Sequence, residues 1–449
     1  MKIIKTIATG ASLALATAVF GLKPAHAAIP IQHWTQPGGA QVYLVESPAI
    51  PMLDVQIDFD AGSRRDPAPQ AGLAAATALM AGKGVAARGG QDALDENQLG
   101  DAWADLGAAF GARAGADRMS FSLRTLTDPA LLPRVVALAA RQLGEPSWPD
   151  AVWRRERERL SAAIRESRTR PATLAALAFA HAVYGRHPYG YETTPETLAR
   201  IQVADMKSRY AALIAPCRAK VSLVGAVTRA QADEIAAQLL SRLPQGGACA
   251  PLPAVPEVAP LARAVDERIP FKSAQAHVLM GQPGYKRGDP DFFALLVGNH
   301  ILGGGDLTSR LMEEVREKRG LSYGVYSSFA PGLHAGAFTV ELQTRSDQAA
   351  DTVGVLRQVV RDFVAQGPTE AELQAAKDNL IGGFALRIDA NGKLLDNVTN
   401  IAWNGLPLDY LDHWTERVSQ VTAADIQAAF QRKLQPDRMV TVVVGGAGR

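Results

Sequence analysis

The chain has 449 residues, 47% hydrophobic and 20% charged, which suits an ordinary globular protein of two or more domains and excludes a disordered one. Lysine and arginine (47) nearly balance aspartate and glutamate (45), so charge gives no reason to expect a nucleic-acid partner or an anionic membrane. Two cysteines alone, Cys217 and Cys249, exclude a cysteine-built zinc site.

In chain order, residues 1–27 come first as a secretory signal peptide. Lys2 and Lys5 precede an apolar stretch, and Ala25-His26-Ala27 is a small-residue exit. Gly10 and Gly21 break the apolar stretch, which favours cleavage over a permanent anchor, and no later stretch is long and apolar enough to span a bilayer. Cleavage removes three lysines and no acid, so the formal charge of +2 turns slightly negative. An exported, periplasmic protein of a Gram-negative bacterium is the expectation.

Residues 28–249 read as a first domain. The strand and polar turn MLDVQIDFDAGSRRDP lead into an alanine-rich helix, GLAAATALMAGKG, from Gly72 to Gly84. An alternating strand, FSLRTL from Phe121, then runs into the amphipathic stretch LLPRVVALAARQL. WRRERERLSAAIRES follows with Glu156, Glu158 and Glu166 among arginines, the pattern of a solvated, internally paired helix face. His181 and His187 are not spaced as helical metal ligands, and a structural role is expected for both. The domain closes on RAKVSLVG from Arg218. Cys217 lies before that strand and Cys249 after the helix behind it, so the two are brought near each other, bridged or free.

Prolines 251, 253, 256 and 260 mark an extended linker at 250–260. Residues 261–449 repeat the order of the first domain. A strand and polar turn end in Asp289-Pro290, as the first ends in Asp66-Pro67. FTVELQ from Phe338 leads into a long amphipathic helix, as FSLRTL does from Phe121. RMVTVVVG from Arg438 closes the half, as RAKVSLVG does from Arg218. The three pairs are offset by nearly the same number of residues, which indicates a duplication. The expected fold class is α+β, two homologous halves, each a mainly antiparallel sheet covered by helices.

Within the second half, LGGGDLTSRLMEEVREKRGLSYGVYSS (302–328) reads as a flexible triglycine turn (303–305). A helix follows, capped by Asp306, Thr308 or Ser309, then a left-handed stop at Gly320 and a strand opened by Tyr323. Arg316 and Tyr323 flank one helix end. By spacing alone they are a solvated cation and a sheet aromatic. The glycines lack the lysine of a phosphate-binding loop, and His277, His300 and His334 stand alone.

This segment, with DANGKLLDNVTNIAWNGLPLDYLDHW (389–414), resembles the C-terminal half of pitrilysin/insulinase-type (M16) zinc metallopeptidases, and the likeness extends over essentially the whole chain after residue 27. It implies a role for Arg316 in holding peptide carbonyls and for Tyr323 in donating to the developing oxyanion. In catalytic members the helix after the first strand and turn carries His-x-x-Glu-His, two zinc ligands and a general base. The matching positions here are Ala75, Ala78 and Leu79, so all three chemical groups are gone. The resemblance therefore implies a subunit with no zinc of its own, inactive alone. It would form a heterodimer with a homologous His-x-x-Glu-His subunit that carries the zinc, and act with it on extended peptide substrates. The rival implications are a structural scaffold and a peptide-binding protein of the same fold.

Overall fold

The computed structural model describes residues 29–244 and 249–446, so the expected signal peptide lies outside it. Two sheets organise the chain. The first joins β1 (Gln32–Thr35), β2 (Gln41–Glu46), β3 (Met52–Phe59), β4 (Ala109–Ala114), β5 (Met119–Leu126) and β6 (Lys220–Gly225) in the order β1-β2-β6-β3-β5-β4. The second joins β7 (Val265–Ile269), β8 (Gln275–Pro283), β9 (Val325–Phe329), β10 (Ala337–Arg345) and β11 (Val440–Val444) in the order β7-β11-β8-β10-β9. Without β1, the two orders are the same. In each, one parallel pair (β2 with β6, β7 with β11) joins the first strand of the half to its last, and the other pairings are antiparallel. The fold is α+β, and the repeat seen along the chain is a repeat of topology.

Each sheet has one face packed by helices of its own half. In the first, Val55, Ile57, Phe59, Phe121 and Leu223 join Val135, Ala139 and Leu143 of helix Leu132–Gly144 and Ile235 and Leu239 of helix Arg229–Leu240. In the second, Val278, Met280, Phe338 and Val340 meet Leu356, Val360 and Phe363 of helix Ala349–Gln366. Burial of each such side chain contributes roughly 1.5–3 kcal/mol.

The other faces are covered reciprocally. Helix Pro171–Tyr184, from the first half, lies on β8 and β11 of the second, where Ala175, Phe179 and Val183 pack on Val440, Val442 and Val444. Helix Asn391–Asn404, from the second half, lies on β3 and β6 of the first. That second contact is polar. Asp54, Gln56 and Asp58 alternate with Val55 and Ile57 along β3, and all are buried because both faces are covered. Asp58 accepts from Ser120, Gln56 and Arg118, whose guanidinium lies 5.5 Å from the Trp403 ring centroid. Lys220 Nζ donates to the carbonyl of Ala402 at the helix end.

The chain from 249 to 261 has no helix or strand and is tied to both halves. Arg65 and Arg218 donate to the Pro253 and Ala250 carbonyls, His187 Nε2 lies 2.9 Å from the Pro256 carbonyl, and Glu257 pairs with Lys286 and His334. Cys217 and Cys249 form a disulfide with Cα atoms 5.8 Å apart.

Candidate functional site

The helix at Leu73–Met80 starts where Asp66 holds it. The Asp66 carboxylate accepts from Gly72 N (3.0 Å) and Ala74 N (3.1 Å) and pairs with Arg209 (3.2 Å). Gly72 takes a φ of 100°, and a Cβ there would lie 2.6 Å from the Thr193 methyl, so glycine is required. Beyond that start the helix carries only Leu, Ala, Thr and Met. Ala75 is exposed, Ala78 buried and Leu79 half-buried. None offers a lone pair to a metal.

Of the three glutamates Glu156, Glu158 and Glu166, Glu156 is the buried one, and it is engaged by cations. It is only 4% exposed, which corrects the expectation of a solvated face at this residue, while the expected pairing with arginines of the same helix is present. Its carboxylate meets Arg159 at 2.8 Å, Arg155 at 2.9 Å and Lys83 at 3.4 Å. Burial pushes the carboxyl up, but the guanidinium groups of Arg155 and Arg159 and the Lys83 ammonium outweigh it and hold it at about 2. Lys83, three residues past the helix, also reaches Glu96 at 3.2 Å. Glu158 is exposed, and Glu166 pairs with Arg170 on the surface. Among the described residues, no group of three or more His, Cys, Asp or Glu is placed to hold a metal ion. These residues do not fit a zinc ion.

The second half presents the opposite situation. Gly320 at φ 61° ends a wide helical turn (Met312–Glu317), with Gly320 N donating to the Arg316 carbonyl (2.9 Å) and Leu321 N to that of Val315 (2.9 Å). The chain reverses there and brings Tyr323 back over Arg316, whose guanidinium carbon stands 4.8 Å from the ring centroid. Tyr323 is 87% exposed and sits two residues ahead of β9 rather than opening it. The base beneath it is firm. Thr344 Oγ1 donates to the Leu321 carbonyl (2.6 Å), and Ser322 Oγ lies 2.7 Å from the Gln343 carbonyl on β10.

Two expectations for this segment are corrected. Gly303, Gly304 and Gly305 are not a flexible turn: a Cβ on Gly303 would stand 2.6 Å from Ser327 N, and one on Gly304 2.8 Å from Asn299 Nδ2. Gly303 permits close packing on β9, and Gly304 and Gly305 close packing on Asn299 and His300; Asn299 in turn bonds both the hydroxyl and the carbonyl of Ser327. The hydroxyls of Thr308 and Ser309 do not cap the following turn. They donate backwards, to the carbonyls of Gly305 and Asp306.

Of the histidines, His187 accepts from Tyr189 N, and its ring lies 5.2 Å from that of His334 at the linker. Tyr189 in turn donates to Asp117, which also pairs with Arg64. His277 opens onto a groove of about 530 Å³ beside Tyr323, floored by β8, β10 and the start of β9 and walled by helix Pro171–Tyr184. The sequence reading singled out neither this groove nor Lys83. The alternation of β10 was visible, but not that its polar face would lie open beside Tyr323.

A family profile described as "Peptidase M16 inactive domain" matches residues 200–380. The crystal structure of a peptidase M16 inactive domain from Pseudomonas fluorescens superposes with a TM-score of 0.87 at 33% identity, covering 94% of this chain and 99% of that one. An uncharacterized zinc protease of Streptomyces coelicolor is 31% identical over 261 residues, 56% of this chain and 55% of that protein, so about half of its length is matched. A protein of Helicobacter pylori named as a non-peptidase homologue is 25% identical over 372 residues, 76% of this chain and 83% of its own length.

Proposed function

Since the chain belongs to the M16 peptidase family and stands with its inactive, non-peptidase members, we propose that it is the zinc-less subunit of a two-subunit peptidase and lends Arg316 and Tyr323 to a partner's active site. The partner would be a homologous chain bearing His-x-x-Glu-His, whose zinc supplies the activated water. This chain's part is positional and electrostatic. The Arg316 guanidinium binds carbonyl oxygens of an extended peptide, and the Tyr323 hydroxyl donates a hydrogen bond to the negative charge developing on the scissile carbonyl.

The observation that carries this reading is Tyr323. A tyrosine 87% exposed, stacked against a guanidinium on a hydrogen-bonded base and with no partner for its hydroxyl among the described residues, contributes little to this chain's own folding. It is suited to a ligand or a second protein. Export to the periplasm belongs to the same proposal. The Cys217–Cys249 disulfide supports an oxidising compartment, and no helix among the described residues is long and apolar enough to cross a membrane.

The test is to assay each chain alone and mixed on a quenched peptide, with zinc quantified per subunit. Activity in the mixture only, with zinc in the partner, supports the proposal. Zinc and cleavage by this chain alone would refute it. Activity that ignores Arg316→Ala and Tyr323→Phe would favour the scaffold reading instead.

A further inference from the structure

The groove beside Tyr323 is lined by several polar side chains, among them Gln275, His277, Glu341 and Gln343. Its floor is a sheet face in register: Glu341 of β10 lies between Leu279 of β8 and Tyr326 of β9, with Gln343 and His277 beside them. Ala172 and Ala176 of helix Pro171–Tyr184 keep the facing wall low. Among the described residues Glu341 is the one acidic side chain lining the groove, and no lysine or arginine lines it. Among the described residues its carboxylate enters no ion pair or side-chain hydrogen bond. The acids Glu313, Glu314, Asp347 and Glu372, by contrast, have cations within 3 Å. The nearby cations are already placed: Arg316 against Tyr323 and Glu317, and Arg345 on Asp347. Burial lowers the pKa of His277 below the ordinary histidine value, which favours its neutral form.

A carboxylate with a tyrosine ring on the adjacent strand and a second at the rim is a receptor for a cation. The carboxylate accepts charge-assisted hydrogen bonds, the ring faces attract the charge, and the alanine wall admits the aliphatic stem. We propose that this groove is a subsite for a lysine or arginine side chain of the extended peptide, recognised by Glu341 and Tyr326. It deepens the reading above and rests on it for the identity of the ligand as a peptide. Since Tyr323 borders the same groove, the basic residue would lie close to the bond being cleaved.

The experiment is a fluorescence-anisotropy titration of the full chain with a labelled peptide of alanine, serine and threonine carrying one central arginine. The same peptide with citrulline, neutral and of nearly equal shape, is the comparison. The arginine peptide should bind about two- to fivefold tighter, as expected for one charge pair on an exposed carboxylate. Glu341→Gln should bring the two peptides to equal affinity by weakening the arginine peptide alone. Glu341→Lys should reverse the preference in favour of a peptide with a central glutamate. Circular dichroism of both variants guards against misfolding. Equal binding of the two peptides by wild type, no detectable binding, or a preference that survives Glu341→Gln overturns the proposal. If the preference holds but mixtures with the partner are inactive, the subsite stands and the split-site reading fails. Tyr323-dependent turnover without the preference gives the converse.

Discussion

Helix Leu73–Met80 in the first half and the segment from Arg316 to Tyr323 in the second are the two places the family resemblance singles out, and the structure treats them in opposite ways. The first has become interior: Ala74, Ala76 and Ala78 are buried, and the helix is valued for packing. The buried acid Glu156 is held by three cations. The second holds Arg316 and Tyr323 outside, on a base that other residues hold still. A duplicated fold can lose a site in one copy and retain it in the other because stability depends on the sheets and their covers, not on the side chains at the rim.

The sharpest way to break this contrast is to put the missing groups back. Replacing Ala75, Ala78 and Leu79 with His, Glu and His places a carboxylate at a position 3% exposed. It should destabilise the chain by about 3–5 kcal/mol in urea unfolding, without creating a zinc site that survives dialysis. A stable variant holding one equivalent of zinc would show that the first half is still a metal site in waiting.

Glu156→Gln probes the cation cluster and should cost about 2 kcal/mol at neutral pH, a figure reduced because Arg155 and Arg159 are solvated. The folded pKa of about 2 lies below the ordinary value of 4.5, so this stability is present above pH 4.5 and is lost as pH falls toward 2. Wild type and variant should therefore converge in acid; a difference that persists at pH 2 would mean the cations are not its source. In the second half, Gly303→Ala forces a methyl against Ser327 and should cost about 2 kcal/mol by thermal unfolding, since backbone must move. No change there would mean β9 and its neighbour are loosely packed. Smallest of all, Tyr323→Phe should leave stability within about 0.5 kcal/mol, as befits an exposed ring.

The duplication was legible because the strand-to-turn and closing-strand patterns recur in order, and both sheets proved to share one topology. Which sheet each helix covers was not. An apolar stripe on Pro171–Tyr184 or Asn391–Asn404 says that a face is buried but not against what, and here the two helices are exchanged between halves. Glu156 was misread for a related reason. A run of arginines and glutamates looks solvated, and only Lys83, far off in sequence, completes the cluster. The glycines at 303–305 read as slack, whereas the nearness of Ser327 and Asn299 that makes them necessary is a tertiary fact. Arg316 and Tyr323 were legible through the family pattern rather than through their spacing, and their stacking is what the structure adds.

The most direct test of the lent-residue account is the turnover of the mixed complex with Tyr323→Phe, measured at saturating peptide with the association of the two chains checked by sedimentation. Loss of an oxyanion donor predicts a fall in kcat of about 100- to 1000-fold with association intact. An unchanged kcat in an intact complex would contradict the account, and Tyr323 would have no part in the chemistry.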